Sequence, residues 1–141
     1  MKLELKGRVA VITGAGRSIG RAMALAQGRF GAGWMPVVGG TPSLRRYCAF
    51  GHLFARSATD DRVHRIDRHP IMKVHPVTPM DESDLVRHLA RQEPLTLANL
   101  PFTDLEAGPA AASSKLDALL AQGAQAVVLD SMTEQHLTGV G

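Results

Sequence analysis

Apolar residues fall in short runs, and the spacing inside each run predicts its secondary structure. The stretch RVAVITGAG is an apolar run that closes on glycines, and Ile19, Met23 and Ala26 follow at helical spacing. A strand, a tight turn and a helix are expected there. MPVVGGTPSL then sets glycines and prolines around a two-valine core, and RRYCAFGHLFA reads as one short extended segment. Ser57 to Val77 is charged and broken by Pro70 and Pro76, which predicts an irregular loop. From Thr78 the pattern turns helical: Thr78 reads as the N-cap, Pro79 as the first helical residue and Asp81 as the acid three places on, with Leu85, Val86 and Leu89 on one face. This helix is expected to reach about Gln92.

Farther along, PLTLANL predicts a strand. GPAAASSKLDALLAQG predicts a helix with Leu116, Leu119 and Leu120 on one face and Gly123 as its stop, and AQAVVLD predicts a second strand. This is a βαβ unit, whose crossover makes the two strands parallel and puts Asp130 at a carboxyl end, where open α/β sheets hold their ligands. The expected fold class is α/β, a three-layer-like parallel sheet of Rossmann-like character in an incomplete domain. No internal repeat stands out.

Composition narrows the picture. A chain of 141 residues, 45% hydrophobic, suits one compact unit. Its single cysteine, Cys48, excludes an internal disulfide and fits a cytoplasmic protein, and no apolar run approaches the roughly 20 residues of a membrane span. The net charge of +3 hides an asymmetry: no acid occurs between Glu4 and Asp60, while Arg17, Arg21, Arg29, Arg45, Arg46 and Arg56 accumulate. Anionic ligands follow from that. With few aromatics and no recognition motif, phosphate or carboxylate ranks above nucleic acid. His52, His64, His69, His75 and His88 match no common zinc spacing, so no metal site is expected.

VAVITGAGRSIGRAMAL resembles the opening of the short-chain dehydrogenase/reductase family. Thr13, Gly14, Gly16, Ser18 and Gly20 would form its cofactor turn, with Ser18 in place of the middle glycine, and the implied cofactor is NAD(P). No acid lies about 20 residues beyond the glycines to hold a ribose. The only tyrosine, Tyr47, has Gly51 where that family's catalytic lysine would stand.

From about residue 36 to 141 the chain resembles another family, the four-carbon acid sugar kinases, through RRYCAFGHLFAR, RIDRHPIMKVHPVTPMDESDLVRHLARQ and GAQAVVLDSMTEQHL. Residues 1–33 then form a dehydrogenase-like start and 34–141 a part of the kinases' N-terminal, substrate-side domain. The resemblance implies phosphorylation of a threonate- or erythronate-type acid by ATP with Mg2+, whose site this chain is not expected to contain. The family's Asp-Asp and Thr-Gly opening motif is absent here. A small sugar acid needs cations or amides for its carboxylate and acceptors for its hydroxyls. Arg68, His69 and His75 are candidate donors, Thr78 and Asp81 lie at the expected helix start, and Asp130 is a candidate acceptor. A loop histidine between prolines, such as His75, is expected to contribute little to folding. The alternatives are a dehydrogenase fragment, or a non-enzymatic module whose basic face binds a partner. Self-association is expected if a sheet edge stays uncovered.

Overall fold

The computed structural model describes residues 33–138. The predicted strand, turn and helix near the N-terminus, with Thr13, Gly14, Gly16, Ser18 and Gly20, lie outside them. Two three-stranded sheets organise the described residues. The first is parallel, with β6 (Ala126–Leu129) between β1 (Met35–Val38) and β5 (Leu97–Leu100). The second is antiparallel, in the order β2 (Arg46–Ala49), β3 (His52–Arg56), β4 (Val63–Arg65).

The expected βαβ unit is present. Helix α3 (Pro109–Ala121) follows the short α2 (Phe102–Glu106) and leads from β5 to the neighbouring parallel strand β6. Pro109 starts α3, and Gly123 takes the positive φ that ends the turn after it. Because β6 is central and covered on both faces, it is a continuous apolar run rather than an alternating one. Ala126 and Val128 face a core containing Cys48, Leu53, Met80, Leu85 and Leu89. Val127 and Leu129 face the other way, onto Leu116, Leu119 and Leu120 of α3. Val127 and Val128 are fully buried, and each gains roughly 2 kcal/mol from leaving water. The parallel sheet is thus the middle of three layers, consistent with the α/β class expected.

Three features depart from the pattern read in the sequence. RRYCAFGHLFA is a hairpin, because Phe50 and Gly51 both adopt positive φ (49° and 77°) and reverse the chain in two residues. The segment from Ser57 to Val77 is more ordered than an irregular loop: it holds β4 and two 3-10 turns, Ile66–Arg68 and Met72–Val74. Helix α1 runs from Leu85 to Ala90 and starts at Asp84, whose carboxylate accepts from the Arg87 amide at 3.1 Å. Thr78 does not cap it. Burial of Met80 and pairing of the following residues against β3 hold this stretch extended: the Leu53 amide donates to the Ser83 carbonyl at 2.9 Å. Tertiary contacts outweigh the local capping pattern there.

Candidate functional site

Two parts of the chain carry the candidate groups. The first is Arg68 to Asp84. Its chain repeats one device at a six-residue interval, the spacing of the two His-Pro pairs His69-Pro70 and His75-Pro76. A 3-10 turn, Ile66–Arg68 or Met72–Val74, is followed by a histidine and a proline. The residue before a proline is pushed toward extended backbone, and both histidines comply: His69 has φ −66°, ψ 128° and His75 has φ −59°, ψ 127°. Proline offers no amide hydrogen, so the next two amides turn back onto the imidazole. Nδ1 of His69 accepts from the Ile71 and Met72 amides, both at 3.2 Å. Nδ1 of His75 accepts from those of Val77 and Thr78, at 3.3 and 3.1 Å, with the Thr78 hydroxyl also 3.2 Å away. His75 is therefore built into its turn, contrary to the expectation that it contributes little to folding.

Around this device, His69 is buried, with the His64 ring edge-on to it at 5.8 Å, and His75 and Thr78 are half-buried. Arg68 is exposed beside Asp67, whose carboxylate is held below its ordinary range chiefly by its double hydrogen bond from Arg65. Asp81 is exposed and meets Arg91 at 3.4 Å, a surface pair worth little.

The second part is Asp130, at the carboxyl end of β6 and 1% exposed. Its two oxygens accept from the amides of Phe50 (2.5 Å), Gly51 (2.9 Å) and Phe102 (3.1 Å) and from the Asn99 side-chain amide (2.9 Å), and the Cys48 thiol lies at 3.5 Å. Burial first, then the neighbouring Asp130 charge, pushes the Cys48 thiol far up, so Cys48 is not a nucleophile in the folded protein. One carboxylate thus ties the β2–β3 turn, β5 and the start of α2 to the end of β6. The turn links this cluster to the first part, because the Gly51 carbonyl accepts from the Leu85 amide at 2.9 Å and Nδ1 of His52 lies 2.9 Å from the Ser83 hydroxyl.

His75 and Thr78 are therefore in direct contact, whereas no hydrogen bond or ion pair among the described residues joins Asp130 to Arg68, His69, His75, Thr78 or Asp81. The sequence reading missed the Phe50–Gly51 turn and the Asn99 amide. A glycine between two strand-forming halves was the available signal for the turn. It also passed over an aromatic file above Asp130, in which Phe102 lies 5.0 Å from Phe50 and 6.1 Å from the buried His136.

The sugar-binding N-terminal domain family matches residues 14–141. The chain belongs to that family. Its match begins at Gly14, inside the glycine turn that resembles a dehydrogenase start. Over 125 residues the chain is 42% identical to the 3-oxo-isoapionate kinase of Paraburkholderia graminis, covering 88% of this chain and 26% of that protein. It is 39% identical over 70 residues to the 3-oxo-tetronate kinase of Pectobacterium atrosepticum, covering 50% of this chain and 16% of that one. The resemblance to acid sugar kinases thus holds at the level of their sugar-binding N-terminal domain. Among solved structures, a Salmonella typhimurium LT2 protein provisionally called a tRNA synthase superposes with a TM-score of 0.78 at 26% identity, over 89% of this chain and 29% of that one. A Haemophilus influenzae protein shares the fold with a TM-score of 0.76 at 21% identity, over 89% and 29%. The chain spans about a quarter of the length of the first of these kinases. No helix among the described residues is long and apolar enough to cross a membrane.

Proposed function

We propose that this sugar-binding domain holds the acid substrate of a kinase acting on a four-carbon or closely related sugar acid, in the cytoplasm. The observation that carries the reading is the paired His-Pro device, which orders two imidazoles in a chain whose kinase relatives are named for 3-oxo acids of sugars. Arg68, exposed and cationic, faces the substrate carboxylate. His69, His75 and Thr78 contact its oxygens, and Asp81 accepts from a hydroxyl. The prolines at 70, 76 and 79 stiffen the chain, which lowers the entropy lost when a ligand is held.

Asp130 takes an organising role in this reading. Five donors surround its two oxygens, so it fixes the turn against which the acid-binding stretch ends and does not itself meet a hydroxyl. ATP with Mg2+ enters the proposal as the phosphoryl donor that a kinase requires, and none of the described residues is assigned to it. Calorimetric titration of the purified chain with threonate, 3-oxo-tetronate and NADPH tests the reading. Saturable binding of an acid is the expected result. Tight binding of NADPH with no response to either acid would replace this reading by the dehydrogenase one.

A further inference from the structure

We propose that His69 and His75 are fixed, neutral hydrogen-bond donors, each ring committing Nδ1 to the backbone and presenting Nε2–H to an oxygen of the ligand. A neutral imidazole has one N–H and one bare nitrogen, and the bare one must be the nitrogen that accepts. In both rings that nitrogen is Nδ1, since two backbone amides donate to it. A proton on Nδ1 would set donor against donor at both amides. The proton therefore sits on Nε2, at the far edge of the ring, and the following proline, which has no amide hydrogen, leaves Nδ1 to the two amides beyond it.

The distal edges are available. His75 is half-buried, and among the described residues no group pairs with its Nε2. His69 is 5% exposed, yet no buried side-chain nitrogen among the described residues lacks a partner, and no group among them pairs with its Nε2; that atom therefore keeps some contact with solvent. Two neutral N–H donors suit the oxygens of a carboxylate or a hydroxyl and repel a cation. They also settle a mechanistic point for the kinase reading, on which the identity of this ligand rests. Neither Nε2 has a lone pair to take the proton from the hydroxyl that attacks phosphorus, so His69 and His75 are binding and positioning residues, and the base lies elsewhere.

Long-range proton–nitrogen correlation spectra of the imidazoles in the full chain, assigned with His69→Asn and His75→Asn, read the tautomers without any ligand. The expected result is bare Nδ1 and protonated Nε2 in both rings. A proton on Nδ1 of either ring would overturn the inference. The pair of substitutions at His75 tests what each end of the ring does. Asparagine places an oxygen where Nδ1 stands and keeps the turn, but removes the distal donor, so His75→Asn should melt with the parent protein and bind threonate about ten- to hundred-fold more weakly. Glutamine reaches the distal position and abandons the turn, so His75→Gln should melt earlier. Unchanged threonate affinity in His75→Asn would refute the donor role. If the parent chain binds no threonate or 3-oxo-tetronate, the function proposed above fails, while the spectra still decide the tautomers.

Discussion

Replacing Asp130 by asparagine changes a single heavy atom and should cost as much as a typical core truncation. In the parent protein one oxygen accepts from the Gly51 amide and the Asn99 side chain, and the other from the Phe50 and Phe102 amides. The asparagine NH2 must replace one of these oxygens. Whichever it replaces, two donors that were paired now face a third donor in a site 1% exposed. A buried donor left without an acceptor costs about 1–3 kcal/mol, so the pair together costs about 3 kcal/mol or more. That is a large share of the roughly 5–15 kcal/mol that holds a domain folded. Urea unfolding followed by the fluorescence of Trp34, the only tryptophan, measures the loss. With a slope of about 2 kcal/mol per molar, the midpoint should fall by about 1.5 M at unchanged slope. A change under about 1 kcal/mol would show that the amides above β6 have other acceptors and that Asp130 does not organise the turn.

Gly40→Ala should destabilise the chain by about 2–3 kcal/mol, because a Cβ there would meet the Ser131 hydroxyl at 2.5 Å and the backbone of Cys48 and Ser131 at 2.8 Å; Gly33→Ala, with nothing within 4 Å, should leave thermal melting unchanged. Burial lowers the affinity of His88 for a proton in the folded state, so the unfolded chain takes up that proton first as pH falls. The contribution of His88 is thus fully present above its unfolded value near 6.5 and is lost as pH drops below it, and His88→Gln should flatten the fall in stability between about pH 7 and 5.

The βαβ unit from Leu97 to Leu129 was legible because every local signal agreed: a proline at the helix start, a glycine after its end, and an apolar run for a strand buried on both faces. The hairpin was not, because its turn residues are Phe-Gly rather than the asparagine or aspartate that usually marks positive φ. The left-handed conformation of Phe50 is sustained by Asp130, and nothing in the neighbouring sequence announces that support. The capping pattern at Thr78 was a sound local reading that lost to a buried methionine and a strand edge. At the candidate site, the sequence pointed to the histidines and prolines. It could not show that each ring would face its own backbone on one side, since that depends on a turn closing two residues later.

The grip of Asp130 on the Phe50 and Gly51 amides also bears on the order of folding. The hairpin β2–β3 is local in sequence, yet its turn is held by a carboxylate 80 residues away. A two-stranded hairpin is marginal alone, and the turn of this one begins with Phe50, a residue that disfavours the positive φ it adopts. Its final shape must wait for a loop of 80 residues to close, so the turn joins the native structure late. Destabilising substitutions at Phe50 would then appear mainly as faster unfolding, with the rate of folding set instead by the compact unit from β5 to β6.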